Sequence, residues 1–314
     1  MTLSKERIVI ALGGNALLRK GDRGTAAEQA ERSLAAMSAI ALLLVPERQV
    51  VITHGNGPVV GNILLRQQRA RASVPPMPLD VCGAESQGSI GYMLERALRQ
   101  VLLQQGRPCS VATLFTLVEV DPQDPAFTHP TKPIGPFLSE EEARELGRSA
   151  AVARDADRGW RRVVASPAPQ HILESTAINA LLGAGIVVIA LGGGGVPVIC
   201  DAEQLLSGAE AVVDKDFSSS LLAREIAADS LAMLTDIDHV YLDFLSPQQR
   251  AIRRMTADEA WRHLQQGEFL PGSMAPKIEA GIDFLRGGGR RVLIGLPEEL
   301  HLLLQGEAGT LMTP

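Results

Sequence analysis

Residues 8–16 read IVIALGGNA and residues 50–58 read VVITHGNGP, so each stretch is a short apolar run that ends in a glycine loop. Near-continuous apolar runs are typical of parallel strands covered by helices on both faces. Between the two runs, apolar residues recur at helical spacing over 34–44. The pattern predicts a β-α-β unit. It also places the two glycine loops side by side at the carboxyl edge of one parallel sheet, where open α/β proteins bind ligands.

The same alternation of strands and helices extends through the rest of the chain, apart from one interruption. Further strands are predicted over 110–114, 186–190, 196–199, 230–234 and 292–294. Helices are predicted over 90–101, 172–182, 258–264 and 278–285, with one more after residue 216. Such alternation is typical of an α/β fold built on a mainly parallel sheet.

The interruption runs over 119–169, where prolines recur too often for a regular helix or a central strand. The prolines in its first half are Pro122, Pro125, Pro130, Pro133 and Pro136. Ser139 and Glu142 then form a capping-box pattern at the start of a short amphipathic helix over 139–148. We therefore expect one domain over 1–314 with a small, ordered subdomain, 119–169, inserted within it.

Length and composition limit the classes of protein to which the chain could belong. The 314 residues are 46% apolar and 21% charged, which is ordinary for a globular protein. The net charge is −6 and no run of Lys or Arg is long, so a nucleic-acid partner is not expected. The most apolar stretch, 34–45, is far shorter than the roughly 20 residues that span a bilayer, so a membrane partner is not expected either.

The patterns of cysteine, histidine and serine exclude several kinds of site. Cys82, Cys109 and Cys200 show no CxxC spacing, which argues against a metal knuckle and a disulfide framework. The N-terminal apolar run over 8–12 is too short for the core of a signal peptide, so a cytoplasmic location is expected. No HExxH pair occurs, and Ser86 in AESQG does not match GxSxG. We expect neither protein metal ligands nor a nucleophilic triad.

Three glycine loops are candidates for binding phosphate, because the backbone N–H groups that glycine exposes can approach phosphate oxygens closely. Their candidate residues are Gly13, Gly14 and Asn15 in the first loop, Gly55, Asn56 and Gly57 in the second, and Gly193 and Gly194 within the run of four glycines over 192–195. The first two loops match neither GxGxxG nor GxxxxGK[ST], which disfavours a Rossmann dinucleotide site and a P-loop. A simple tight turn is the alternative at 13–14.

Three lysines stand in surroundings that suit a phosphoryl group. Lys132 lies in PTKPIGP, Lys215 in VVDKDF and Lys277 in GSMAPK. Fixed ammonium groups neutralise the charge of a transferring phosphoryl group, and Asp216 is placed to hold Lys215. The alternatives are a solvated charge cluster that caps a helix at 214–216, a solvated loop lysine at 132 and a surface lysine at 277. A phosphate site in the glycine loops also needs cations to balance the charge of the phosphate, and these lysines would supply them. We therefore predict a small-molecule kinase.

Ten segments, taken together and in order, indicate which kind of small-molecule kinase this is. They are ALGGNAL, HGNGP, SQGSIGYML, PTKPIGPF, RGWRRVVASP, GGGGVPV, AVVDKD, LTDIDHVY, GSMAPKIEA and GEAGT, spread from residue 8 to residue 310. This series resembles carbamate kinase, within the amino-acid kinase superfamily. The resemblance implies a three-layer αβα sandwich around a mostly parallel eight-stranded sheet, a protruding subdomain and a homodimer. It also implies the reversible reaction of ATP with carbamate to give ADP and carbamoyl phosphate, run toward ATP in catabolism, with Mg²⁺ on the nucleotide.

The resemblance assigns roles residue by residue. Lys132, Lys215 and Lys277 match the family's phosphate-contacting lysines, and Asp216 matches the aspartate that organises them. The candidate residues of the glycine loops fall at its phosphoryl and substrate loops. Thr235, Asp236, Tyr241 and Met274 correspond to its nucleotide side.

Three departures from the family pattern bear on specificity. Val59 stands where Gln is usual, Glu85 stands in a stretch that often reads AMSQG, and Ala275 replaces a commonly larger residue. A carboxylate beside an anionic substrate would repel it, so Glu85 points away, pairs with an arginine or marks altered specificity. AESQG, together with PQQRAIR over 247–253, resembles carbamate kinase-like members of purine or allantoin breakdown. A kinase of another small carboxylate and a catalytically silent nucleotide or carbamoyl-phosphate sensor are the alternatives.

Overall fold

A computed structural model describes residues 5–14, 22–148, 150–154 and 159–314. The strands are β1 (Glu6–Leu12), β2 (Arg48–His54), β3 (Val111–Thr113), β4 (Leu117–Val120), β5 (Lys132–Leu138), β6 (Val152–Arg154), β7 (Trp160–Val164), β8 (Pro169–Ile172), β9 (Val187–Gly192), β10 (Val196–Cys200), β11 (Leu206–Gly208), β12 (Ser230–Leu234), β13 (Val240–Leu242), β14 (Arg250–Ile252), β15 (Arg254–Thr256), β16 (Arg291–Gly295) and β17 (Thr310–Thr313). The helices are α1 (Ala26–Ala41), α2 (Gly57–Ala70), α3 (Leu79–Gln104), α4 (Glu140–Leu146), α5 (Ser175–Gly183), α6 (Lys215–Glu225), α7 (Ala257–Gln265), α8 (Met274–Arg286) and α9 (Leu300–Gln305).

The main sheet has eight strands in the order β15-β17-β16-β12-β1-β2-β9-β3. All neighbouring strands in it are parallel except β16 and β17. Leu12 of β1 lies opposite His54 of β2, so the loops that follow these two strands leave the same edge of the sheet. The predicted α/β class with a mostly parallel eight-stranded sheet is confirmed.

Alternate residues of β1 contribute to two separate cores, because successive side chains of a strand point to opposite faces. Ile10 lies in one core with Met37 of α1. Val9 lies in the other with Leu222 of α6 and Ile278 of α8. All five side chains are fully buried. Helices therefore cover both faces of the sheet, and the predicted three-layer αβα sandwich is confirmed.

Several boundaries differ from the sequence prediction. α3 begins at Leu79 instead of residue 90, and its first turns contain Gly83 and Gly88, whose low helix propensity hides the start of a helix. Although α3 has 26 residues, no helix in the described ranges is both long and apolar enough to cross a membrane. Lys215 follows an isolated bridge at Ala211 and not a regular strand.

The proline-rich segment contains regular structure. β5, β7 and β6 form a three-stranded antiparallel sheet in that order. Pro133 and Pro136 lie in β5, an edge strand of that sheet, where a missing N–H breaks no ladder. Ser139 and Glu142 form the predicted capping box at the start of α4. The bounds 119–169 for a subdomain stay a prediction.

Candidate active site

The start of α6 carries two aspartates and a lysine in consecutive positions. Asp214 is the N-cap residue, and one of its carboxylate oxygens accepts a hydrogen bond from the backbone N–H of Asp216 at 2.9 Å. Ser219, one turn into the helix, donates to the carbonyl of Lys215 at 2.6 Å and lies 2.7 Å from the hydroxyl of Thr53 on β2. The helix start is thus fixed both by its own cap and by the neighbouring strand.

The structure brings Lys215 and Lys277 onto one carboxylate. The Nζ of Lys215 lies 2.5 Å from Oδ1 of Asp216, and the Nζ of Lys277 lies 2.9 Å from Oδ2. The two lysine side chains are only 10% and 12% exposed. Lys132 donates instead to Asp214, the neighbouring aspartate. The three lysines therefore meet at the start of α6, but Asp216 organises two of them and Asp214 the third.

Burial and mutual attraction set the charge states of this cluster. Burial alone would raise the pKa of Asp216, but the ammonium groups of Lys215 and Lys277 outweigh it and hold the pKa far below its ordinary value. Burial lowers the pKa of Lys215, and the nearby charge of Lys277 adds to the decrease. For Lys277, burial is outweighed by Asp216, and the pKa is raised. Lys215 and Lys277 thus share one ionised carboxylate, and Asp214 and Asp236 are further acidic neighbours of Lys277.

The first two glycine loops touch each other and Lys215, as the parallel pairing of β1 and β2 predicts. A Cβ atom at Gly55 would lie 3.3 Å from the backbone N of Gly14 and 3.3 Å from Cδ of Lys215. A Cβ atom at Gly13 would lie 2.9 Å from the carbonyl oxygen of Leu234. Side chains at these positions would push the loops and the lysine apart, so glycine permits the close approach. Asn15 lies outside the described residues.

The run of four glycines packs against the second loop. Gly193 and Gly194 have φ angles of +69° and +92°, in the left-handed region that favours glycine. A Cβ atom at Gly193 would lie 2.1 Å from Nδ2 of Asn56, and one at Gly194 would lie 2.4 Å from the carbonyl oxygen of Val213. Asn56 is buried and donates to the hydroxyl of Ser86 at 2.7 Å. Close contacts with other protein atoms are therefore enough to explain why positions 193 and 194 are glycine. Contact of Gly193 and Gly194 with phosphate stays a prediction.

His54, at the end of β2, is a buried neighbour of this cluster. Its Nδ1 lies 3.1 Å from the carbonyl oxygen of Gly55, and a Cβ atom at Gly192 would lie 2.7 Å from its ring. Burial lowers the pKa of His54 from the ordinary 6.5 to about 4, and the charge of Lys215 adds to the decrease. The ring is therefore neutral at physiological pH and serves as a packing element.

A cavity of about 590 Å³ opens beside the two buried lysines. All four residues predicted for the nucleotide side line it, namely Thr235, Asp236, Tyr241 and Met274. Gly13, Gly14, Lys215 and Lys277 line it as well. The predicted phosphate and nucleotide residues of this group therefore share one cavity.

The sequence prediction missed the apolar walls of this cavity. They are Ile237, Phe244, Phe269 and Leu270. The rings of Tyr241 and Phe244 lie 5.9 Å apart with their planes tilted by 38°, and they form an aromatic wall against which a nucleobase could pack. Only 4% of the chain is aromatic, and Phe244 and Phe269 lie close to the LTDIDHVY and GSMAPK segments. These two residues could have indicated the apolar walls from the sequence.

A larger cleft of about 970 Å³ adjoins the lysine cluster at Lys132. Lys132 and Asp214 line this cleft, and Gly272 lines both the cleft and the smaller cavity. Arg154 of β6 and Arg224 of α6 also line it, and Arg224 pairs with Asp283, another residue of the cleft wall. The lysine cluster thus has Lys132 on the side of the cleft and Lys215 with Lys277 on the side of the smaller cavity.

The three departures from the family pattern line neither the cavity nor the cleft. Glu85 is exposed, and the nearest partner of its carboxylate is the amide of Gln67, 3.5 Å away. It therefore points away from the site. Val59 packs against two of the hydrophobic cores, and Ala275 packs against a third. Among the residues that the structure describes, no group of three or more His, Cys, Asp or Glu side chains is arranged to hold a metal ion.

Comparison with known proteins places this geometry in a family. A model of the amino acid kinase family matches residues 6–295. The chain belongs to the amino acid kinase family. It is 44% identical to the carbamate kinase of Pyrococcus horikoshii over 98% of this chain and 99% of that relative. It is also 44% identical to the carbamate kinase-like protein YahI of Escherichia coli, over 98% of each chain.

Solved structures agree with the sequence comparison. The carbamate kinase of Giardia lamblia bound to AMP-PNP matches with a TM-score of 0.91 and 38% identity, covering 99% of each chain. The same enzyme bound to citric acid matches with a TM-score of 0.94. The resemblance to carbamate kinase drawn from the ten segments is therefore confirmed.

Proposed function

We propose that this protein is a carbamate kinase, a phosphotransferase that reversibly moves the γ-phosphoryl group of ATP to carbamate. The observation that carries the proposal is the pair of buried lysines, Lys215 and Lys277, which share Asp216 at the wall of the cavity lined by the nucleotide residues. The relatives that are carbamate kinases by name support the choice of substrate.

The reaction requires positioning and charge neutralisation more than proton transfer. An oxygen of the ionised carbamate attacks the γ-phosphorus, the bond to the β-phosphate oxygen breaks, and its electron pair stays on ADP. No general base is needed because the attacking oxygen already carries charge. Lys215 and Lys277, held by Asp216, neutralise the charge spread over the transferring group. Lys132, aimed by Asp214, reaches the same group from the side of the cleft.

The remaining site residues have supporting roles in this proposal. The phosphoryl and substrate loops are formed by Gly13, Gly14, Asn15, Gly55, Asn56, Gly57, Gly193 and Gly194. Tyr241 and Phe244 offer an aromatic wall to the adenine ring. Thr235, Asp236 and Met274 line the same cavity beside it. The nucleotide therefore lies with its base at the aromatic wall and its phosphates at the lysines.

Mg²⁺ arrives on the nucleotide in this proposal, without protein ligands. Both carboxylate oxygens of Asp216 accept from lysines, and those of Asp214 accept from Lys132 and a backbone N–H. These occupied carboxylates fit an ion that is held by phosphate oxygens and water. When bound on the nucleotide, the ion would neutralise part of the charge of the phosphates.

The protein is a cytoplasmic homodimer in this proposal. Its three cysteines are free thiols, as is usual in a reducing compartment. Tyr92 on α3 and Phe115 after β3 are each 61% exposed. A Cβ atom at Gly88, one turn before Tyr92, would lie 3.3 Å from the ring of Phe115, so the two aromatics form one surface. That surface adjoins β3, the edge strand of the main sheet, and both features suit a second copy of the chain.

A coupled assay of ATP formation from ADP and carbamoyl phosphate tests the proposal. We expect turnover with carbamoyl phosphate and little with acetyl phosphate or amino-acyl phosphates at the same concentration. Faster turnover of one of the other acyl phosphates would instead identify a kinase of another small carboxylate. Tight binding of ADP and carbamoyl phosphate without turnover would identify a silent sensor. Either result would refute the assignment.

A further inference from the structure

Gly61 of α2 and Gly135 of β5 meet backbone to backbone. A Cβ atom at position 61 would lie 2.0 Å from Cα of Gly135 and 2.1 Å from its N. Because both neighbours are main-chain atoms, no change of rotamer relieves the overlap. Gly135 also has a φ of +74°, in the left-handed region that favours glycine. The contact therefore depends on glycine at both positions.

Gly135 is held in place from its other side. Its carbonyl oxygen accepts two hydrogen bonds from Arg161 on β7, one from Nε at 3.1 Å and one from a terminal nitrogen at 2.9 Å. The pairing of β5 with β7 shifts register between Ile134 and Leu138, so Gly135 lies in an irregular part of the strand. Irregularities of this kind bend a strand and redirect its side chains.

The contact lies between two parts of the proposed site. α2 begins at Gly57, at the end of the second glycine loop. Lys132 lies at the start of β5, three residues before Gly135, and its ammonium group donates to Asp214. The place where α2 meets β5 therefore fixes the distance between the loop and the ammonium group of Lys132.

We propose that Gly61 is a positioning residue for phosphoryl transfer, because its contact with Gly135 sets where β5 carries Lys132. The inference rests on the proposed function, since it takes Lys132 to contact the transferring phosphoryl group. It does not involve nucleotide binding. The described residues that line the nucleotide cavity include none from α2 or β5.

A double-mutant cycle tests the proposal, with Gly61→Ala, Lys132→Met and the double variant. We expect Gly61→Ala to lower kcat for ATP formation by about 10- to 100-fold, the scale of a misplaced group, with the Kd for ADP within about twofold of wild type. In the Lys132→Met background, Gly61→Ala should lower kcat by less than about twofold, because the group it positions is gone. Gly183→Ala is the matched control, since a Cβ atom there meets nothing within 4 Å.

The outcomes distinguish a failure of the positioning role of Gly61 from a failure of the proposed function. The positioning role is overturned if Gly61→Ala lowers kcat as much in the Lys132→Met background as it does in wild type. It is also overturned if a folded Gly61→Ala variant keeps the wild-type kcat. Unchanged turnover in Lys132→Met alone refutes the role of Lys132, and no ATP formation by wild type refutes the proposed function itself. If Gly61→Ala does not fold, Arg161→Met replaces it. That variant keeps both glycines but removes two hydrogen bonds to Gly135, and its smaller kcat loss should also vanish in the Lys132→Met background.

Discussion

Asp216 accepts hydrogen bonds from two lysines, so one of the two ammonium charges lacks a counter-charge on that carboxylate. In the proposed function, the γ-phosphoryl group of a nucleotide brings its negative charge to these lysines. The sequence alone predicted that Asp216 holds Lys215, because the two are neighbours in VVDKDF. It could not show that Lys132 pairs with Asp214, because that contact joins residues 82 positions apart and depends on how β5 packs.

At the same scale, His54 should make the stability of the protein sensitive to mild acid. The unfolded chain takes up a proton on this ring below about pH 6.5, whereas the folded protein does so only below about pH 4. Stability contributed by the neutral ring is therefore present above pH 6.5 and is lost as the pH falls through this window. Between pH 7 and pH 5 we expect this one group to lower the free energy of unfolding by about 2 kcal/mol.

Urea unfolding of wild type and His54→Asn at pH 7 and pH 5 measures this contribution. Asn cannot take up a proton, so the free energy of unfolding of the variant should fall less between the two pH values, by the same ~2 kcal/mol. An equal loss of stability in both proteins would show that other groups cause the acid sensitivity.

Among the elements, the start of α6 combines a structural role with a proposed catalytic one. Asp214 caps the helix through one oxygen and accepts from Lys132 through the other. The sequence allowed two interpretations of residues 214–216, a solvated helix cap or a site for a phosphoryl group. The structure shows a helix cap within a charge cluster in which Lys215 and Asp216 are buried.

Two substitutions at Asp214 should separate these roles. Asp214→Ser keeps a side-chain oxygen that can cap the helix, so its free energy of unfolding should stay within about 0.5 kcal/mol of wild type. Asp214→Ala loses the cap and should lose about 1 kcal/mol. Both variants leave Lys132 without its partner, and we expect kcat to fall by about tenfold or more in each. Wild-type turnover in Asp214→Ser would show that the pairing with Lys132 has no part in catalysis.

The elements that sequence predicted well are those with a strong local pattern. β1 and β2 are apolar runs followed by glycine loops, and α4 has a capping box in its first turn. β17 and the hairpin of β13 with β14 escaped prediction, because strands of three or four residues are too short to show a period. Their pairing depends on contacts with distant parts of the chain, which no local pattern encodes.

For the whole molecule, the proposed homodimer would use the sheet edge formed by β3. An edge strand beside exposed aromatics is prone to association, and a second copy of the chain would cover both. The resemblance to carbamate kinase implied a homodimer, and this surface is where we propose that the two copies meet.

Substitution of Tyr92 by Glu should weaken that dimer, because it places a charge in an apolar contact. Light scattering after size exclusion should report the mass of a dimer for wild type and a shift toward the monomer for Tyr92→Glu. Leu245→Glu is the matched control, since Leu245 is 82% exposed and lies in the turn after β13. A monomeric wild type, or equal dissociation of both variants, would contradict the assignment of this surface.

The most direct test of the central claim is the rate of ATP formation from ADP and carbamoyl phosphate in Lys215→Ala. Removing one buried ammonium group that faces the transferring phosphoryl group should lower kcat by about 10²- to 10³-fold. Circular dichroism should show an intact fold, and Lys5→Ala, at an exposed lysine, should keep wild-type kcat. A folded Lys215→Ala variant that forms ATP at nearly the wild-type rate would contradict the claim that the lysines on Asp216 carry the reaction.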